Sequence, residues 1–565
     1  MSSGSTIHVE AAPLDEPNGR VNVKTIVLVM AIDLIYLAQL VLLVGCGAYA
    51  CSITAVIGGQ SQIVWLTASL VIVPTVLGPP ISQAADYWGR KWFLVILTAL
   101  GIIGTIIVSR ANSIGVAIAG FSLSGLSFSA QPLVHAVPSE VLPRKWRPWA
   151  QASINIFASV GGVFGLLVGG QLTRNGNDEG FRAFFYITAA IYAVSTVLCA
   201  VLYNPPPREL QKEFSTMQKL RKLDWIGYGI LISGLVLFSL GLSWAQNPYP
   251  WSTANVLAPF LVGSVLAIIF ILYESIGRKD GMVHHGLFKH RNFALALVCI
   301  FVEGVIFFAA NNYFAFEVSV LSSQDPLVVG LHYSVMFYVM SVSALGAGVY
   351  CSWRRSLRGP LVFSFACFVG FNGAMTSVKA NTSLAVLWGL PALLGAGVGI
   401  SIVALLTVAQ LSTPPALIAI ASGLMISIRS LGASVAVAIY NAIFNHTFGA
   451  NLAPKIADAT LPLGFPASSL GELISALLAR DNEALAQIDG VTPEIIGSAV
   501  AAVTDTYVAS FKNVWAAAAC FSVVPLILSV FILDPVETFT SHIDAPLEKI
   551  QIEVDERLPE SSLKS

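Results

Sequence analysis

Long apolar runs separated by short polar knots dominate the chain. Runs near 25–49, 62–82, 92–109, 114–138, 150–172 and 183–203 approach or exceed the roughly 20 residues a helix needs to cross a bilayer. A polar linker, NPPPRELQKEFSTMQKLRKLD, follows, and then two runs near 225–245 and 254–274. Six more lie near 292–314, 328–350, 359–378, 383–409, 418–444 and 514–533. The pattern predicts an all-α integral membrane protein with 14 transmembrane helices in a 6+2+6 plan.

The expected divisions follow from these runs. They are an N-terminal tail 1–23, a first six-helix half 24–203, a linker 204–223, two inserted helices 224–275 and a loop 276–290. A second six-helix half covers 291–533 and includes a long loop 446–513, and a tail 534–565 closes the chain. That loop contains SSLGELISALLAR, which reads as a short amphipathic surface helix, and the polar, acidic tail reads as disordered. The first apolar run is too long for a cleavable signal and reads as a signal anchor.

Charge orients the helices. Alternate short loops carry Arg90 and Lys91; Arg144, Lys145 and Arg147; Arg208, Lys212, Lys219, Arg221 and Lys222; Arg278, Lys279, Lys289 and Arg291; and Arg354, Arg355 and Arg358. The short loops between them hold Arg110, Arg174, Arg182 and Lys379. Lys and Arg accumulate on the cytoplasmic side of membrane proteins, so both termini are expected in the cytoplasm and the 446–513 loop outside.

Composition agrees with this picture. Charged residues are 11% of the 565, against about a quarter in soluble domains, and mean hydropathy is +0.77. A net charge of −1 argues against a nucleic-acid partner. Seven cysteines lie in or beside apolar runs without metal-ligand spacing, so we expect buried thiols, with no metal and no cofactor.

The two six-helix halves repeat one design. The second helix of the first half ends in DYWGRK and its counterpart in GAGVYCSWRRSLRGP, basic at the same place. The fourth helices (GFSLSGLSFSAQP and GLPALLGAGVGIS) and the fifth (ASVGGVFGLLVGG and RSLGASVAVAIYNA) match in their small residues. Repeated halves with a site between them near the midplane are the architecture of alternating-access carriers.

Within the D-x-x-G-R-K stretch, Asp86, Gly89, Arg90 and Lys91 allow two readings. One is a positive-inside anchor on a tight glycine turn. The other is a gate latch, with Asp86 accepting hydrogen bonds from a facing helix N-terminus and Arg90 pairing with a nearby carboxylate. Ionisable groups at membrane depth are expensive and functional by default. Asp33 lies a third of the way along the first helix, in the span or in the headgroups beside Lys24. Glu303 and Glu317 share a helix face with Asn311, Asn312 and Tyr313 between them, Glu303 deep and Glu317 nearer the outer interface. Arg429 is either the counter-ion of a buried acid or a snorkelling cation. His135 can titrate near neutrality or simply pack, and Glu140 is expected to pair with the basic loops. Asp33, Glu303, Asn311, Asn312, Glu317, Arg429 and His135 are thus the substrate and proton-coupling candidates.

Gly161, Gly165 and Gly169 recur every four residues, with Gly170 beside them, and predict a smooth stripe for close helix packing. Trp65, Trp244, Trp251 and Trp515 read as interface-belt residues. Asn445 and Asn381 begin N-glycosylation sequons on the outer side, Asn445 the better placed.

The loop signature D-x-x-G-R-K resembles that of the major facilitator superfamily, and the 6+2+6 plan resembles its fourteen-helix drug:proton antiporter branch. ISQAADYWGRKWFLV, SEVLPRKWRPWAQA, DWIGYGILISGLVLFSLGLSWAQNPYPW and IRSLGASVAVAIYNAIF are similar to fungal trichothecene-efflux-pump-type transporters. The resemblance implies the major-facilitator fold, a secondary carrier rather than an enzyme, and a gating role for the Asp86–Lys91 loop. The absence of a P-loop GxxxxGK[ST] separately argues against an ATP-driven pump. Three positions depart from the superfamily pattern. Ser82 replaces a glycine, Tyr87 a cation, and Leu166 the proline of the fifth-helix antiporter signature. Phe121 and Ser122 also stand where many drug antiporters carry an arginine.

The expected function is efflux of a hydrophobic or amphipathic secondary metabolite, toxin or drug, coupled to protons. The expected partners are a small organic substrate, protons and the lipid bilayer, with the protein a monomer in the plasma, vacuolar or vesicle membrane. A siderophore-iron importer of the same plan and a transporter-like nutrient sensor are the alternatives.

Overall fold

The computed structural model describes residues 21–545 apart from 175–176, 208, 246–248, 278–284, 323–324, 480–484 and 486. Arg208, Arg278 and Lys279 of the basic loops, most of the N-terminal tail and the tail beyond 545 therefore lie outside the described residues.

The first bundle is built from α1 (Val23–Ile57), α2 (Val64–Trp88), α3 (Arg90–Ser109), α4 (Ile114–Phe128), α5 (Gln131–Val141), α6 (Arg147–Leu172) and α7 (Gly180–Leu202). The expected fourth run is α4 and α5 in series, broken just before Gln131-Pro132, where proline removes a helical N–H. Two short helices, α8 (Glu209–Glu213) and α9 (Thr216–Lys222), occupy the linker. The inserted pair is α10 (Trp225–Trp244) and α11 (Ala254–Leu272). The second bundle is α12 (Arg291–Leu321), α13 (Pro326–Arg354), α14 (Arg358–Met375), α15 (Leu384–Leu411), α16 (Ile418–Thr460), the short α17 (Leu470–Ala479) and α18 (Pro493–Ser529).

Among the described residues, thirteen helices are long and apolar enough to cross a membrane. The expected run at 359–378 forms α14, which packs between α15 and α18 but has only 18 residues. At 1.5 Å per residue it reaches about 27 Å, slightly short of a hydrocarbon core of about 30 Å.

The bundles meet along two seams, α2 against α16 and α6 against α13. In the repeat, α13 corresponds to α2 and α16 to α6. Each seam therefore joins a second helix of one half to a fifth helix of the other, as a two-fold arrangement requires. The inserted pair packs on the α2/α16 seam. Its outer helix turns Leu261, Val265, Ile268 and Ile271 outward, each more than half exposed, which suits contact with lipid rather than water.

An expected long loop and an expected disordered tail both carry ordered structure. The expected outer loop at 446–513 is largely helix. α16 runs 43 residues, about 65 Å, well past the thickness of a bilayer. Its end, α17 and the start of α18 bury Ile456, Leu473, Ile495 and Ala499 together as a small cap. Leu473 and Ala476 of the SSLGELISALLAR segment contribute to that cap. The tail from Asp534 to Ala545 is also docked. The Asp534 carboxylate accepts hydrogen bonds from the Leu357 and Arg358 N–H groups, at 2.6 and 2.9 Å, and Phe539 is buried in the main core. A carboxylate at a helix start satisfies orphan N–H donors and suits the helix dipole.

Candidate functional site

Two groups of polar residues stand out against the apolar packing, one midway along the bundle and one at its basic end.

The central group gathers around α1, α12 and α16. Arg429 donates to Glu303 twice, Nε to Oε2 at 2.5 Å and Nη2 to Oε1 at 3.1 Å. Its guanidinium lies 5.0 Å from the Phe307 ring centroid. Glu303 is fully buried. Arg429 is thus the counter-ion of a buried acid rather than a snorkelling cation, and the fork geometry is the one that desolvated carboxylates match best. Close approach makes the pairing possible, because a Cβ on Gly304 would lie 2.2 Å from the Arg429 carbonyl oxygen. Tyr36 and His135 both lie within electrostatic reach of Arg429. The two rings meet edge to face at 5.3 Å.

Asp33 sits one helical turn before Tyr36 and is fully buried. Neither of its carboxylate oxygens has a hydrogen-bond partner among the described residues. Ser153 of α6 is the hydroxyl within reach, but it donates instead to the Ala150 carbonyl at 3.0 Å. Buried carboxylates without partners are rare and costly, which sets Asp33 apart from Glu303.

A cavity of about 50 Å³ lies beside this group, lined by Tyr36, Gln131, Phe307, Phe308, Phe337 and Arg429 among others. Away from the basic end, a second cavity of about 400 Å³ shares Val71 and Phe308 with it. Asn312, Tyr313, Ser434, Asn441 and Asn445 give that second cavity polar walls. Tyr313 donates to Asn441 Oδ1 at 2.6 Å. Asn312 is thus a lining residue, while its half-buried neighbour Asn311 is not among the residues lining these cavities.

Glu317 is not at a wet interface. It is buried and accepts a hydrogen bond from Trp515 Nε1 at 2.7 Å. The same bond removes Trp515 from the interface belt, since its ring is fully buried against Phe371. Trp65 and Trp244 pack edge to face at 6.2 Å. Of the two sequons, Asn445 lies inside α16 and lines the wide cavity, whereas Asn381 sits exposed in the turn between α14 and α15. The placement favours Asn381, because a helical segment offers no free backbone to a modifying enzyme.

The glycine stripe performs the packing expected of it. A Cβ on Gly161 would lie 2.5 Å from the Leu37 carbonyl oxygen, and one on Gly169 would overlap Tyr49. Gly165 meets Val44, so all three face α1, while Gly170 faces the start of α13 at Leu327. The hydroxyl of Tyr49 donates to the Gly165 carbonyl at 2.8 Å.

At the basic end, Arg90 donates to Asp86 Oδ1 at 2.8 Å and pairs with the Glu140 carboxylate. All three side chains are at most 7% exposed. Arg90, the first residue of α3, is thus one partner of Asp86. Gly89 allows the turn, with φ of +91° and a Cβ position only 2.1 Å from Gln211. The equivalent turn after α13 places Arg355 at φ 54°, so the repeat keeps the left-handed bend with a different residue. Lys91 is peripheral and donates to Asn204 Oδ1 at 2.5 Å.

The departures in this loop have local reasons. Ser82 faces Gly423 of α16, whose Cβ position would be 2.3 Å from Ser82 Oγ, so the smallness has moved to the other helix. Tyr87 packs with Trp88 against an apolar cluster that includes Tyr228 and Phe270 of α10 and α11.

A third set of residues escaped the sequence reading. Gln151 Nε2 donates to the His135 carbonyl at 2.9 Å and to Ser139 Oγ at 2.8 Å. Gln410 Nε2, from the other bundle, donates to the same His135 carbonyl at 3.1 Å. His135 Nδ1 lies 2.7 Å from Gln151 Oε1, so the histidine is a packing residue in a network that crosses between the halves. The signal was available, as two glutamines standing inside apolar runs.

The family described as "Fungal trichothecene efflux pump (TRI12)" matches residues 38–551. The chain is 26% identical over 417 residues to the MFS-type transporter gkaD of Penicillium citrinum, covering 73% of this chain and 69% of that protein. It is likewise 26% identical over 482 residues to the trichothecene efflux pump TRI12 of Fusarium sporotrichioides, covering 82% and 78%. Among solved structures it resembles the human organic anion transporter MFSD10 (TETRAN), with a TM-score of 0.55 at 13% identity, covering 90% of this chain and all of that one. The proton:xylose symporter XylE gives a TM-score of 0.53 at 13% identity, covering 91% and 98%. These likenesses establish the fold. With the family match spanning nearly the whole chain, this protein belongs to the fungal trichothecene efflux pump family of major facilitator transporters.

Proposed function

We propose that this transporter exports a hydrophobic or amphipathic secondary metabolite by alternating access, driven by a proton gradient across the plasma membrane. The observation that carries the reading is the cavity system. The part beside Arg429 is narrow and aromatic, and a neighbouring cavity of about 400 Å³ that shares Val71 and Phe308 has amide and hydroxyl walls. In this reading the Arg90–Glu140 pair helps seal the basic end. Such a pocket suits a largely apolar molecule with a few oxygen functions. One relative is named as a trichothecene efflux pump, which supports an exported metabolite as the cargo.

In this reading both termini are cytoplasmic, α14 is the fourteenth span, and the protein, a monomer, has its wide cavity facing outward. Asp33 is the coupling group. An unpaired buried charge is costly, and a carboxyl that meets water in one state and not in the other can carry a proton between them. Arg429 lines the narrow cavity and is held by the buried Glu303. Export rather than import follows the names of the relatives.

The test uses inside-out membrane vesicles, a tritiated trichothecene and an imposed pH gradient. The wild type accumulates label, and Asp33→Asn loses gradient-driven accumulation while retaining downhill exchange. Accumulation that is indifferent to collapse of the gradient overturns proton coupling.

A further inference from the structure

The docked segment from Asp534 to Ala545 joins the two bundles. It leaves α18 in the second bundle and lies along the α5–α6 connection of the first. Three backbone hydrogen bonds hold it there. The Lys145 N–H donates to the Thr540 carbonyl at 2.9 Å, the Arg144 N–H to His542 at 3.0 Å, and the Ala545 N–H to Glu140 at 2.9 Å. Side chains add to them. Arg144 donates to Asp544 Oδ1 from Nη2 at 2.6 Å and from Nε at 3.1 Å, and Arg147 pairs with the other Asp544 oxygen. Lys145 Nζ donates to Ser541 Oγ at 3.1 Å.

These contacts converge on the seal. Arg147 is almost wholly buried and also donates to the carbonyls of Ser139, at 3.2 Å, and of Gln410 in the second bundle, at 2.8 Å. The side chain of Asp544 is 3% exposed. Glu140, whose carbonyl receives the Ala545 N–H, is the carboxylate that Arg90 holds. Strap and latch therefore share a residue, and every contact from Thr540 to Ala545 named here joins one half to the other.

We propose that residues 534–545 are a strap forming the third part of the basic-end gate. Asp544 is its positioning residue, setting the balance between the closed and open states at that end. The proposal rests on the alternating-access reading. When a carrier of this design opens, its halves part at one end, and contacts that cross between them must break. Charge-assisted bonds present in only one state bias the equilibrium toward it. Asp544→Asn should raise the open-to-closed ratio on the order of tenfold, and Asp544→Glu should keep most of the bias.

The test uses the full chain in a Cys520→Ser background, since Cys520 is the exposed thiol among the described cysteines. Spin labels at exposed Trp146 and Trp353 report the separation of the halves at the basic end without any substrate, so the outcome does not depend on which compound is exported. Asp544→Asn should shift the distance distribution toward longer values, and Asp544→Glu should restore it. Separately, a disulfide between Lys145→Cys and Ser541→Cys should stop transport of the tritiated trichothecene, and reduction should restore it, which also shows that the variant folds. An unchanged distance distribution in Asp544→Asn, or full transport by the cross-linked protein, overturns the proposal.

Discussion

Glu303 and Arg429 are 126 positions apart in the chain and make two hydrogen bonds to each other in its interior. Removing one member of such a pair leaves the other charged and buried, a loss of about 3–5 kcal/mol, whereas replacing both is far milder. Glu303→Gln and Arg429→Gln should each lower the thermal midpoint of the detergent-solubilised protein, and the double variant should recover much of the loss. A double variant as unstable as the sum of the singles would show that the two act independently. The sequence announced both charges through their depth in apolar runs, but not their partnership, since apolar runs carry no record of which helices face each other. Trp515 shows the opposite error. A tryptophan near a helix end looks like a belt residue, and only folding brings it to Glu317. Trp515→Phe keeps the ring and removes the N–H, so we expect about 1–3 kcal/mol of destabilisation from the orphaned carboxylate.

Along the helices, glycine has two uses that periodicity alone does not separate. Gly161 admits the backbone of α1, whereas nothing lies within 4 Å of a Cβ built at Gly47 in α1 itself. Gly47→Ala should therefore stabilise the protein by about 0.5–1 kcal/mol through helix propensity. Gly161→Ala should lower the melting midpoint by forcing α1 and α6 apart. Equal effects in the same melting assay would deny the distinction. The repeat every four residues marked the stripe correctly because a single helix carries it. The reach of α16 and α18 was less legible. Beyond the membrane their composition turns mixed and Asn445 and His446 look like loop residues, yet the two helices continue and close a core of their own.

The reciprocal seams explain why the basic end is decisive. Opening there must separate α2 from α16 or α6 from α13, and Arg90 holds Asp86 and Glu140 together beside the first of these. Arg90→Lys retains the charge but offers one compact ammonium in place of a planar fork that reaches two carboxylates. We expect it to lower the transport rate and to increase labelling of a cysteine placed at Ser139 by a reagent applied to the basic side; unaltered labelling would mean that the turn is only an anchor. The DYWGRK motif made this charged turn visible. The glutamine network and the strap were not visible, because their partners come from the other half or from a segment whose polarity resembles disorder. The long α16 carries a mechanical consequence. It is continuous from Arg429 to Asn451 and on into the cap. About 33 Å of rigid rod joins the two positions, so a rocking of roughly 10° at the pathway displaces the far position by about 6 Å. On the alternating-access reading, the cap is expected to work as a pointer. A fluorophore or antibody fragment fixed to it would register each turn of the cycle without touching the route the cargo takes.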